Sequence, residues 1–181
     1  RLLLAEDFGL IALSTTYIGF ITLFVSIGFG SAIIHFNKAT RSNISTLYYL
    51  NFIIAVITFL IIYFTSSYAA NFYEDRELGY IVKWSSLSIL ITPFFITHLK
   101  IFERDIQFKR IGLIIVFSSI LSAIFAIVAV LNDFGVYALV VQTLSLTFFK
   151  LVFVMYYSSW KPNKSFRVKD VKHMVWYAVK Y

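Results

Sequence analysis

The chain has 181 residues, 60% of them hydrophobic and only 14% charged, with a formal net charge of +7 and a mean hydropathy of +0.82. Such values exclude a soluble globular domain, in which about a quarter of residues carry charge. The lack of cysteine also removes disulfides, thiolate metal sites and a cysteine nucleophile.

The apolar residues fall in continuous runs rather than in ten-residue alternating segments, so helical spans are expected in place of an outer-membrane barrel. About 20 helical residues cross a hydrocarbon core of roughly 30 Å. Five spans follow in chain order: residues 8–34, 44–68, 80–97, 111–131 and 136–158. Residues 160–181 then form a basic cytoplasmic linker and the start of another helix. The first span is rich in small and hydroxylic residues, among them Ser14, Thr15, Thr16, Gly19, Ser26, Gly28 and Gly30, which favour close helix approach. Pro93, late in the third span, removes a backbone donor and bends that helix. The chain reads as a fragment, with Arg1 in place of an initiating Met and the closing HMVWYAVKY as a helix cut short.

Charge sets the sidedness. Lys38 and Arg41, then Lys100, Arg104, Lys109 and Arg110, then Lys161, Lys164, Arg167, Lys169 and Lys172 occupy alternate loops, whereas the intervening ones hold only Arg1 and Arg76. The positive-inside rule makes the basic loops cytoplasmic. The positive charge is therefore read as a topology signal and not as a nucleic-acid footprint. Tyr68, Phe72, Tyr73, Tyr80 and Trp84 at one boundary, and Tyr156, Tyr157 and Trp160 at the other, fit interfacial belts.

One charge stands apart. Lys150 lies in the fifth span, roughly 12 Å along the helix from its cytoplasmic end, farther than a lysine stem of roughly 6 Å reaches. A charge at that depth is costly by about 2.5–3.5 kcal/mol and usually lines a cavity. Two readings stay open: an ammonium that reaches headgroups through tilt or thinning, and an internal cationic site. Gln142 and Asn51 are amides within spans, able either to bond between helices or to donate to a ligand. Arg104 and Arg110 form either a solvated inner loop or a collector of anions from the inner leaflet. Lys83 and Lys100, near span ends, read as snorkelling anchors.

Catalytic signatures are not found. His35, His98 and His173 have no metal-ligand spacing, and there is no nucleophile elbow or phosphate-binding loop. No cofactor and no enzymatic activity are therefore expected. The acidic residues lie almost only in loops, leaving this stretch without an obvious carboxylate for ion coupling.

Several blocks together resemble a known family. Leu3-Leu4-Ala5-Glu6-Asp7-Phe8-Gly9-Leu10 is similar to the opening of bacterial polysaccharide exporters, the Wzx-type flippases of the multidrug and oligosaccharidyl-lipid exporter superfamily. The similarity continues in order through Gly28 to Ile34, Leu47 to Asn51, Phe72 to Glu74, Arg104 to Arg110, Phe134 to Gln142 and Trp160 to Pro162. Ala5 stands where the family usually has Pro, and Ser26 where it often has Asp. The resemblance implies an all-α polytopic bundle, part of a two-bundle alternating-access transporter, with this chain supplying the second to sixth helices of the amino-terminal half. It further implies flipping of undecaprenyl-diphosphate-linked oligosaccharides across the bacterial cytoplasmic membrane, with membrane lipids and other polysaccharide assembly proteins as partners. Lys150 falls where the family commonly has Arg or Lys, and with Gln142, Asn51, Arg104 and Arg110 it forms the expected substrate-binding set. A multidrug-type cation antiporter and a membrane polysaccharide polymerase are the alternatives.

Overall fold

A computed structural model describes residues 5–25, 29–36, 40–164, 166–167 and 171–176. The described residues form α1 (Ala5–Val25), α2 (Phe29–His35), α3 (Arg41–Phe72), α4 (Arg76–Ser85), α5 (Leu87–Arg104), α6 (Phe108–Leu131) and α7 (Tyr137–Tyr157) in chain order. A short helical segment at 171–176 comes last, and no strand occurs among the described residues. The chain is an all-α, multi-pass membrane protein. Four stretches are long and apolar enough to cross a bilayer: α3, α4 with α5, α6, and α7.

The elements differ from the expected spans in instructive ways. Where one span is expected over 8–34, α1 and α2 lie on either side of residues 26–28; Ser26 and Gly28 lie outside the described residues, as do residues 177–181 of the expected next helix. Helix α3 reaches well past the expected 44–68. Its 32 residues give a length of about 48 Å, so it either tilts or stands clear of the hydrocarbon core. The expected span at 80–97 is built from α4 and α5, which meet at a buried Ser86. There the Ser86 hydroxyl donates to the Lys83 carbonyl at 2.7 Å.

Helix α5 packs against both α3 and α7, α6 packs chiefly on α7, and α4 lies against α1 and α3. Three hairpin turns close in the same way. Glu74, Ile106 and Asp133 each adopt a left-handed backbone with φ of 56°, 55° and 59°. The next residue's N–H then reaches back to a carbonyl of the last turn: Asp75 to Ala70, Gln107 to Phe102 and Phe134 to Ala129, at 3.0, 2.8 and 3.2 Å. This is the Schellman closure made without glycine.

The side chains of α6 are sorted opposite to those of a soluble bundle. On α6 the buried stripe is Ile114, Ser118, Ser122, Ala126 and Ala129, while Phe117, Ile120, Ile124, Phe125, Ile127 and Val128 are exposed. Large apolar groups gain little from leaving lipid, so small residues can occupy this interface and let backbones approach. The close contact expected at Gly19 is not found, since a Cβ there would meet nothing within 4 Å. It occurs instead at Gly79, where a Cβ would lie 2.9 Å from the Ala70 Cβ and 3.3 Å from the Ser66 carbonyl oxygen.

The basic loops gather at one end. Arg41 Nε donates to the Lys161 carbonyl at 3.0 Å, and His98 Nδ1 lies 2.7 Å from Ser158 Oγ. The acidic turns carrying Glu74, Asp75 and Asp133 lie at the other.

Replacing Gly79 with Leu forces α3 and α4 apart, and overpacking of this kind costs about 1–3 kcal/mol. The variant full-length protein in detergent should melt at a lower temperature than the parent, and adding Ala70→Gly should recover part of the loss.

Candidate functional site

The polar groups inside the bundle start from a common chemistry. A serine or threonine in a helix satisfies its hydroxyl by donating to a carbonyl one turn back. Thr22, Thr58 and Thr92 do so, to Ile18, Ile54 and Ser88 at 2.7, 2.8 and 2.9 Å. These three come from α1, α3 and α5, and they line one cavity of about 170 Å³ together with Asn51 and Pro93. Each hydroxyl has spent its proton and keeps acceptor capacity. Among the described residues the Asn51 side-chain amide makes no hydrogen bond. Pro93 has no N–H, so the Ile89 carbonyl one turn earlier, on the same cavity wall, is also released. The cavity thus offers two amide donors and several acceptors, a set suited to hydroxylated ligands or water.

Lys150 occupies a different place. It is half-buried on α7, seven residues before the helix ends at Tyr157, and so about 10 Å inside that end. The Cα–Cβ bond tilts toward a helix's N-terminus, which on α7 is the acidic end, so the stem leaves the backbone pointing away from the nearer surface. Among the described residues the ammonium has no ion-pair or hydrogen-bond partner. Gln142 is likewise half-buried on α7 with no partner for its side chain there.

Arg104 and Arg110 are at the basic end and are locally engaged. Arg104 Nε donates to Asp105 Oδ1 at 3.0 Å, and Arg110 Nη1 donates to Gln107 Oε1 at 2.9 Å. Lys100 forms an ion pair with Glu103 at 2.7 Å. The five residues singled out from the sequence therefore occupy three regions. Helix α5 lies between Asn51 on α3 and the α7 pair, and the two arginines flank the turn from α5 to α6, Arg104 as the last residue of α5 and Arg110 in the first turn of α6.

The region after α7 holds residues that sequence reasoning did not place. The strand-like run from Ser158 lies across the first turns of α3: the Asn163 N–H donates to Ser45 Oγ at 2.8 Å and the Arg167 N–H to Thr46 Oγ1 at 3.2 Å. The same two hydroxyls donate to Arg41 and Ser42 carbonyls, so each is both donor and acceptor. Trp160 packs edge-on against His98 and Tyr48, with centroids 5.0 and 6.0 Å apart. Val171 and Met174 are fully buried against Ile33, Ile44, Leu47 and Ile101. The sequence reads here as a basic linker and the start of a helix, and gives no sign that Trp160, Val171 and Met174 pack against α3 and α5.

A family model described as "Polysaccharide biosynthesis protein" matches residues 1–181. The teichuronic acid biosynthesis protein TuaB of Bacillus subtilis (strain 168) is 29% identical over 155 residues, covering 84% of this chain and 32% of that protein. The lipopolysaccharide biosynthesis protein WzxC of Escherichia coli (strain K12) is 21% identical over 114 residues, covering 63% of this chain and 23% of that protein. The chain thus spans about a third or less of the length of these relatives. No solved structure gives a significant match.

Since the chain has no native cysteine, single thiols report water directly, because the reactive thiolate forms only where water reaches. In a full-length protein with no other cysteine, Asn51→Cys and Lys150→Cys should react with a small polar thiosulfonate reagent. Ile57→Cys, on the exposed apolar face of α3, should not. Equal labelling at all three positions would mean that the polar cavity is no wetter than the lipid face.

Proposed function

The chain belongs to the polysaccharide biosynthesis protein family, and on that premise we propose that it forms part of a carrier that flips lipid-linked oligosaccharide precursors across the bacterial cytoplasmic membrane. The observation that carries this reading is the family match over all 181 residues of a chain built from apolar membrane helices. A diphosphate bearing sugars cannot cross hydrocarbon unaided, because its charges and hydroxyls lose water without replacement. A carrier must supply that replacement from its own side chains.

Lys150 is the residue we assign to the phosphate. An ammonium that meets no partner among the described residues, held about 10 Å inside the bilayer-spanning α7, keeps its attraction for an anion entering from the basic end. Lysine acts here as a point charge, so it tolerates a ligand that slides past and need not be clamped. Gln142 on the same helix and the Asn51 cavity are assigned to sugar hydroxyls, with Arg104 and Arg110 contributing attraction at the membrane surface. The work is translocation rather than bond making. Coupling to an ion gradient has no carboxylate inside α3, α6 or α7 to act through.

Loss of a charged contact to phosphate removes about 1.5–3 kcal/mol, or roughly ten- to hundredfold in binding. Lys150→Ala in the intact gene should therefore lower surface polysaccharide by at least about tenfold while leaving membrane insertion unchanged. Lys150→Arg should retain most export. In a deletion strain, complete lipid-linked repeat units should accumulate on the cytoplasmic leaflet. Repeat units that reach the outer leaflet and stay unpolymerised would favour a polymerase, and unchanged glycans with new sensitivity to toxic cations would favour an antiporter.

A further inference from the structure

A second cationic site lies at the acidic end, in a cleft between α3 and α4. On α4, residues 76, 79, 80 and 83 share one face by helical spacing, and the facing strip of α3 is 66, 67, 70 and 71. Ser66, Ser67, Ala70, Asn71, Arg76, Gly79, Tyr80 and Lys83 enclose a volume of about 240 Å³. The Gly79–Ala70 approach keeps the two helices close at its floor.

Every ionisable side chain that lines the cleft is a cation or a tyrosine. Lys83 is half-buried about two helical turns inside α4, with Nζ 4.4 Å from the centroid of the Tyr63 ring. Tyr63 lies nine residues before the end of α3. The ammonium is thus held against an aromatic face within the bundle, where cation–π attraction offsets part of its lost hydration. Among the described residues neither Lys83 nor Arg76 has a carboxylate partner, and the Ser67 hydroxyl and the Asn71 amide are unbonded.

The neighbouring acids point elsewhere. Asp75 caps α4, its Oδ1 accepting from the Glu77 and Leu78 N–H groups at 2.8 and 3.3 Å. Glu77 lies about 100° round the helix from Arg76, on the strip with Ile81 and Trp84 that faces α7. Glu74 is in the exposed turn. The cleft therefore presents two positive charges, a hydroxyl, an amide and a phenol, all able to donate, to whatever enters.

We propose that this cleft is a phosphate site, distinct from the Lys150 region, that holds the phosphate of an anionic lipid headgroup at the end of the bundle opposite the basic loops. The chemistry fits a phosphodiester: charge-assisted donors converge on one anion, with Arg76 at the rim able to fork two oxygens and Lys83 supplying a point charge beneath. The volume is below the roughly 300–1,000 Å³ of pockets that engulf a whole drug-sized ligand, so only a headgroup enters and the acyl chains stay in the bilayer along the exposed Phe64 and Tyr68. The proposal does not depend on which molecule the carrier moves.

Native mass spectrometry of the full-length protein in detergent tests it, with titrations of phosphatidylglycerol, phosphatidylcholine and inorganic phosphate. Phosphatidylglycerol should bind in preference to phosphatidylcholine. Arg76→Gln and Lys83→Gln should each weaken that binding at least about tenfold, the loss expected for a hydrogen bond to a charged group. Lys109→Gln, an exposed cation at the basic end, should leave it unchanged. If inorganic phosphate displaces the lipid at equal affinity, the anion site stands and its occupant is free phosphate. Equal retention of both lipids, or undiminished phosphatidylglycerol binding by Arg76→Gln, overturns the proposal. Because Arg76 is at the exposed rim, that variant remains informative even if Lys83→Gln does not fold.

Discussion

A hydrocarbon solvent gives no hydrogen bonds, and the rest of this structure follows from that constraint. Every backbone N–H and C=O within the bilayer must find a partner inside the chain, which leaves helices as the spanning element here. Most hydroxyls obey the same rule, although among the described residues the buried Thr97 and Ser118 hydroxyls find no partner. Thr15, Thr22, Ser45, Thr58, Thr65, Ser122, Thr143 and Thr147 all donate to carbonyls of their own helix, so they are available to a ligand mainly as acceptors. One backbone exception coincides with a cavity. Pro93 releases the Ile89 carbonyl into the cavity that also holds Asn51, consistent with the tolerance of irregular backbone where it lines a cavity.

The second consequence is how the helices recognise one another. With lipid as apolar as leucine, burying large side chains does not drive association, and close contact between small ones does. The α6 stripe of serine and alanine and the Gly79–Ala70 contact are the local expressions. A helix that packs through its small residues turns its large ones outward, which is why α6 exposes phenylalanine and isoleucine along most of its length. The same contact holds α3 and α4 at the separation that makes their cationic cleft.

Charge divides into two populations. At the basic end Lys100, Arg104 and Arg110 are met by Glu103, Asp105 and Gln107, and Arg41 is committed to the linker backbone. Those contacts anchor loops and tie the segment after α7 to α3. Lys83 and Lys150 lie within helices, and among the described residues neither meets a carboxylate. An unneutralised ammonium at that depth raises the energy of the empty protein, and an anion beside it would lower that energy again.

How far the sequence could be read depends on which quantities are local. The all-α membrane class and the family follow from residues taken one after another, because hydropathy sums along a span and motif blocks keep their order. The turns were less legible, since Glu74, Ile106 and Asp133 adopt the left-handed conformation that glycine usually announces. The stretch after α7 read as a basic linker and the start of a helix, with nothing to show that Ser45 and Thr46 hold its backbone or that Val171 and Met174 are buried against Ile33, Ile44, Leu47 and Ile101. The sequence by itself determined that this protein lives in a membrane as a helical bundle, because transfer from water to lipid is decided residue by residue. Only the tertiary structure decided that Asn51 shares a cavity with three threonines, that Lys150 stands apart from it, and that Arg76 and Lys83 line one cleft. Spans apolar on all sides carry no periodic signal of their rotation, and that rotation is set by small-residue contacts between helices distant in the chain.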